Sequence, residues 1–293
     1  MLRDFAIDPD ALASWGNCRA VLDRFVMGSG AMISEYPKRW RRMVYESAAR
    51  QCLDMELKRI TERLNALNRC LLIPGHREYP DNDRHWIDKA LDAHQRQPFG
   101  GVICAEDAHA RPESNVISVS DVQATHPLFA GLGQAHVARN PTDMAQAVRL
   151  LLADAIHVKF IDTHYRPGAQ AGFDEPIRQI LGQVRQDGER KLQVELHTES
   201  SDRRPPDDQL QNGFAKIVRG TIPNAEVTVI FYDQGCLHNR FLLTDKGGVM
   251  WGTGLDEQGS SDRKTETDDL FLLNDELYRL HWSKWNSTET EGK

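Results

Sequence analysis

Apolar residues between positions 10 and 72 recur at helical spacing. Leu53, Leu57, Ile60, Leu64 and Leu67 fall three or four residues apart with charges between them. No proline interrupts the chain between Pro37 and Pro74, so the pattern predicts a helical region. A stretch rich in turn formers at 74–83 leads to a helix over 86–94, and short apolar runs at 101–105 and 115–119 read as strands. Gly131, Gly133 and Pro141 punctuate 127–141, where Thr142 or Asp143 can cap a following helix. The domain boundary belongs there, and residues 1–140 read as a mainly helical α+β domain.

Beyond that point the period changes. A helix over 143–153 precedes a buried strand at 156–161, and a helix over 174–186 precedes a strand at 191–197. The connector 203–208, with its double proline, leads to a helix over 208–218. Strands at 226–232, 237–244 and 249–252 follow, separated by short turns, then a strand at 267–273, a closing helix over 275–285 and a polar tail. Strands alternating with helices imply an α/β domain over 141–293, built on a mixed β-sheet flanked by helices.

Composition narrows the function classes. At 293 residues the chain is long enough for two domains, and 40% hydrophobic against 27% charged residues is the balance of a folded protein. A net charge of −7 argues against coating nucleic acid through overall positive charge, although a local basic patch is compatible with it. Lys38, Arg39, Arg41 and Arg42 around Trp40 form one such cluster. It reads first as a solvated helix face, and second as a contact for a nucleic-acid backbone or an acidic partner. Cys18, Cys52, Cys70, Cys104 and Cys236 are odd in number and lack metal-ligand spacing, which predicts reduced, mostly buried thiols. The first ten residues carry acids in place of an apolar signal core, and no run approaches 18 apolar residues. The expectation is a soluble, cytoplasmic protein without a membrane span.

The chemistry concentrates late in the chain. His238 and Arg240 lie two apart on an expected strand and would project from one face. Asp245 follows them, and Gly252, Thr253 and Asp256 open the loop after the next strand. This spacing, His-x-(Lys/Arg)-x4-Asp-x6-Gly-(Ser/Thr)-x-x-(Asn/Asp), resembles the signature of the phospholipase D superfamily over roughly residues 145–285. Arg240 stands where that signature has lysine, Thr253 where it has serine, and Asp256 where it has asparagine. The resemblance does not extend to the first 140 residues.

The resemblance implies that His238 attacks phosphorus, that Arg240 stabilises the phosphoryl oxygens, and that Thr253 and Asp256 contact the same oxygens. Asp245 would orient or tune a histidine. A carboxylate at 256 would repel a phosphate unless protonated or paired with a cation, and pairing with Arg240 would make the site structural. Members of the superfamily use two facing motifs, so a single motif implies a homodimer, with one histidine attacking and the other protonating the leaving oxygen.

The function expected on this basis is a nuclease or other phosphodiesterase with no cofactor and no metal. It would act on nucleic acid or another phosphodiester, in a bacterial defence or DNA-processing system, with a partner protein docking on the N-terminal domain. The alternative is a degenerate module that only binds phosphate-containing ligands or partner proteins. Three weaker features are His157-x-Lys159, which reads as an ordinary strand rather than a second motif; Asp268-Asp269, as a strand entrance; and His197, as a structural histidine.

Overall fold

The computed structural model describes residues 1–168, 171–185, 191–201, 204–257 and 266–286, and the chain divides into two compact units, Leu2–Gly133 and Gln134 onward. The expected ends at Gln186 and Arg203, and the polar tail from 287, lie outside the described residues.

The N-terminal unit is not mainly helical. Its centre is a five-stranded parallel sheet in the order β3-β2-β1-β4-β5, with β1 Arg3–Ile7, β2 Ala31–Ser34, β3 Leu72–Ile73, β4 Gly101–Cys104 and β5 Val116–Ser118. Helices α1 Trp15–Leu22, α2 Trp40–Gln51, α3 Asp54–Asn65 and α4 Trp86–Arg96 belong to the same unit. The first strands escape a pattern search because parallel strands covered on both faces show no polar alternation. Phe5, Ala6 and Ile7 are all fully buried, as is every residue class along β2. In α3, Ile60 and Leu64 point inward as the periodicity requires, whereas Leu53 precedes the helix and is 83% exposed.

The Lys38–Arg42 cluster straddles the start of α2, with Lys38 and Arg39 exposed ahead of the helix. Trp40 is fully buried and donates its indole Nε1–H to the Ile7 carbonyl at 2.7 Å, so it cannot stack on a ligand. Arg41 pairs with Glu35 at 3.2 Å and Arg42 with Glu46 at 2.7 Å. All five cysteines are free thiols, but only Cys18 and Cys104 are buried, and Cys236 is exposed.

The second unit is a seven-stranded mixed sheet in the order β6-β12-β11-β10-β7-β8-β9. Its strands are β6 Gln134–Ala138, β7 His157–Ile161, β8 Gln193–Glu199, β9 Glu226–Tyr232, β10 Arg240–Thr244, β11 Gly247–Trp251 and β12 Thr267–Leu272. β7, β8 and β9 run parallel, and the other neighbours are antiparallel. β6 pairs with the late strand β12, which moves the boundary from 140 back to Gly133. The loop expected over 127–141 therefore contains the sheet's edge strand.

Helices α5 Pro141–Leu152, α6 Asp174–Leu181 and α7 Asp207–Thr221 precede the strands they serve, and α8 Asp275–Lys284 closes the described chain. Phe160 of β7 meets Phe214 of α7 edge to face, with ring centroids 6.0 Å apart. The alternate residues of β7 and β8 carry a buried polar network beneath the end of α8. Glu195 accepts from His157 Nε2 at 2.8 Å and from His197 Nε2 at 2.9 Å, and pairs with Lys159 Nζ at 3.3 Å. Lys159 is fully buried, donates to the Trp285 carbonyl, and lies 4.6 Å from the centre of the Trp282 ring. The His157-x-Lys159 pair is thus structural, and His197, also bonded to the Tyr232 hydroxyl at 2.9 Å, belongs to the same network.

Burial works against the charge on Glu195, but the hydrogen bonds from His157 and His197 and the Lys159 charge outweigh it and hold the carboxyl far below its ordinary range. Removing this carboxylate leaves the buried Lys159 ammonium uncompensated. Glu195→Ala is expected to cost about 3–5 kcal/mol of stability, read from the urea midpoint, and Glu195→Gln less. An unchanged midpoint in Glu195→Ala would contradict this account of the pair.

Candidate functional site

Strand direction brings the motif and its neighbours to one end of the second sheet. β10 is antiparallel to β7, with Phe241 opposite Ile161, and antiparallel to β11, with Arg240 opposite Trp251. The start of β10 therefore stands beside the ends of β7 and β11. The pairing of Thr267 with Ala138 brings the start of β12 and the end of β6 to the same edge. Arg139, Asp162, His164, Arg166, Arg240, Thr253 and Asp256 all follow from this geometry.

Carboxylates fix the loops there. Asp162 is 1% exposed and accepts from the His164 amide at 2.7 Å and the Leu255 amide at 3.1 Å, joining the loop after β7 to the loop after β11. Burial raises its pKa; the two amides and the Arg240 charge oppose that rise. Asp268 accepts twice from the Thr253 amide, at 3.0 and 3.1 Å, and once from the Asp269 amide. Glu199 accepts from the amides of Gly235 and Leu237, at 2.9 and 2.7 Å.

Gly254 occupies the crowded centre, with φ +138°. A Cβ on it would stand 3.0 Å from Asp256 Oδ1, 3.4 Å from Asp162 Oδ2 and 3.7 Å from Arg240 Nε, which measures how closely these groups converge. An open cleft of about 580 Å³ adjoins them, lined by Arg139, His164, Arg166, Phe173, Thr253 and Asp256, with Ala171 completing the wall.

The five motif residues do not form one cluster. Arg240, Thr253 and Asp256 come together, with the exposed His238 two residues before Arg240. β10 begins only at Arg240, so strand geometry does not force His238 and Arg240 onto one face. The reason is local. Glu199 binds the Leu237 amide, and Thr163 Oγ1 donates to the Leu237 carbonyl at 2.9 Å, so this backbone bonds to the end of β8 and the loop after β7 and leaves the ladder.

Asp245 lies at the opposite end of β10, roughly 16 Å along the strand from Arg240. It accepts from the Ile156 and His157 amides at 2.9 and 3.3 Å and pairs with Lys246, so it secures the start of β7 and cannot orient His238. Asp256 is paired, but with Arg139 at 2.7 Å in place of Arg240; Arg139 also reaches Glu266 at 3.5 Å.

Sequence reasoning missed Arg139, Arg166 and Arg204, because arginines in loops carry no spacing signal. Asp268 was read as an exposed entrance, yet it is 3% exposed and holds the Thr253 backbone. The period-two burial of β12, with Asp268 and Leu270 inside and Asp269 and Phe271 outside, was the available signal.

No family model matches the chain, and neither does any curated protein. Among solved structures it is similar to that of TrmBL2, an archaeal chromatin protein that binds DNA, at 12% identity over 78% of this chain and 79% of that one, with a TM-score of 0.28. A superposition that loose bears on neither fold nor function.

The N-terminal unit has its own group of carboxylates. In the order β3-β2-β1-β4-β5 the chain direction across the sheet reverses between β1 and β4, the crevice where open parallel sheets bind ligands. Asp8 follows β1 there and accepts from the amides of Asp10 and Ala105 at 3.1 and 3.4 Å. Asp107, after β4, accepts from Ser118 Oγ and, at 3.3 Å, from Ser120 Oγ. Among the described residues no group of three or more His, Cys, Asp or Glu is placed to hold a metal ion.

Burial pushes the Asp8 carboxyl from 3.8 up to about 6, with the Asp10 charge adding to the rise. A folded-state value above the unfolded one contributes stability that is complete below pH 3.8 and is lost as pH rises through about 6. The loss amounts to roughly 3 kcal/mol for a shift of this size. Asp8→Asn forfeits one of the two amide contacts at any pH, so the expected signature is a change in melting temperature that is more favourable at pH 7.5 than at pH 4.5, and an equal change at both would refute the assignment.

Proposed function

We propose that the second unit is a phospholipase D-like phosphodiesterase domain acting as a nuclease, with His238 as nucleophile and Arg240 and Thr253 holding the phosphoryl oxygens. The observation that carries this reading is the meeting of Arg240, Asp162 and the 253–256 loop at one sheet end, beside an open cleft with cationic walls. The Arg139 pair also answers the difficulty at Asp256, because a carboxylate neutralised at 2.7 Å repels a phosphate far less than a free one.

In the reaction, the neutral His238 ring attacks phosphorus, a P–N bond forms and the P–O bond to the leaving alcohol breaks. Water then cleaves the phosphohistidine and releases the phosphate monoester. The leaving oxygen needs a proton. A second copy of the chain, related by two-fold symmetry, would supply it from its own His238, and the exposure of this residue suits such a face-to-face site. The chemistry asks nothing of a metal or cofactor. No helix among the described residues is long and apolar enough to cross a membrane.

One feature favours a second reading, in which the domain binds phosphate without turning it over. His238 has no hydrogen-bonding partner among the described residues, and Asp245 is a strand away, so no described residue sets its tautomer.

The test is incubation of the full chain, with chelator present, with single- and double-stranded DNA, RNA and bis(4-nitrophenyl) phosphate, alongside His238→Ala. Cleavage by wild type that the variant lowers by at least about a thousandfold is expected. Cleavage that survives in the variant would sink the nucleophile assignment. Phosphate-dependent binding without cleavage by either protein would establish the second reading.

A further inference from the structure

The cleft carries more positive charge than the motif accounts for. Arg139 is committed to Asp256 and Glu266. Arg204 donates to the Glu199 carbonyl at 3.0 Å, to Thr198 Oγ1 at 3.4 Å and to His164 Nδ1 at 3.1 Å. Arg166, which lines the cleft, has no hydrogen bond or ion pair among the described residues. Arg166 lies close enough to Arg204 to act on it: burial lowers the Arg204 pKa, Glu199 opposes that, and the Arg166 guanidinium lowers it further. An exposed, unpaired cation on a cleft wall, in a chain of net charge −7, is suited to receive an anion from outside.

His164 supplies a second donor on the same loop. A guanidinium can only donate, so the Arg204 contact makes His164 Nδ1 an acceptor and places the ring proton on Nε2. The His164 amide is held by Asp162, which fixes the base of the loop, and the side chain lines the cleft with Arg166. Thr163, the preceding residue, is bonded to the carbonyl of Leu237, so this loop runs beside the one that bears His238.

Two sets of anion donors thus stand on adjoining loops. Arg240 and Thr253 form one set, and Arg166 with His164 Nε2–H forms the other. A single tetrahedral phosphate is served by the first set alone. We infer that Arg166 and His164 bind the phosphate next to the reacting one, which makes the ligand a nucleic-acid strand, with its regularly repeated charges, in preference to an isolated phosphodiester. This rests on the phosphodiesterase reading of His238, Arg240 and Thr253. The cleft is open to solvent, which suits a ligand longer than the site itself.

Two measurements on the full chain test it, with wild type, Arg166→Ala, His164→Asn and Arg166→Lys, each checked for an unchanged melting temperature. The first compares kcat/KM for a 12-nucleotide single-stranded DNA with that for bis(4-nitrophenyl) phosphate. Arg166→Ala and His164→Asn should each lower the ratio of oligonucleotide to small diester about tenfold, with Arg166→Lys intermediate. A ratio that does not move overturns the subsite, as does a wild type that hydrolyses the small diester and ignores the oligonucleotide; neither result touches the phosphodiesterase reading.

The second is the salt dependence of binding to the same oligonucleotide, labelled with a fluorophore. Loss of one phosphate contact should reduce the slope of log affinity against log salt by about 0.7 in Arg166→Ala. If wild type cleaves nothing, the phosphodiesterase reading fails by itself and this slope still decides the subsite. An unchanged slope, or no binding by wild type, overturns it.

Discussion

Buried carboxylates that accept backbone amide protons hold together the working end of the second sheet. Asp162 spans the loops after β7 and β11, Glu199 spans β8 and the turn before β10, and Asp268 anchors the start of the 253–256 loop from β12. Each accepts from two amides, so the same side chain ties two points of backbone together. Without them, amides at the ends of four strands would face a concave surface unpaired. The placement of Thr253 and His164 follows directly from these contacts, because a carboxylate holds their own amides, and Arg166 and Arg240 lie two and three residues along the chain from a held amide.

The same device appears with other purposes. Asp245 closes the far end of β10 onto the start of β7, and Asp8 holds the exit of β1 against β4 in the N-terminal unit. Glu195 differs, since its partners are side chains; it fills the middle of a face that α8 covers with aromatic rings, and it supports the sheet without approaching the cleft.

Much of the second unit was legible in the sequence, and little of the first. Strand β9 matches its expected limits and α5, α7, α8 and β12 lie within a few residues of theirs, because half-buried elements show their period. In the first unit the strands of the parallel sheet are short and covered on both faces, so Phe5 to Ile7 and Ala31 to Ile33 have no alternation to detect, while the amphipathic α3 dominates the pattern. Within the candidate site, the spacing of His238, Arg240, Thr253 and Asp256 picked out residues that the fold places at one sheet end. It could not reveal that Asp245 sits at the other end, nor that Arg139 takes Asp256, because strand limits and pairing over 117 residues of separation are properties of the folded chain.

The clamps grip main-chain atoms, and this has an evolutionary consequence. Loops fixed through their amides keep their course whichever side chains they display toward the cleft, so positions 164, 166 and 253 can exchange residues without disturbing the scaffold that carries them. A lineage could retune what this cleft selects by single substitutions at its rim, whereas Asp162, Asp268 and Gly254 would resist change whatever the ligand.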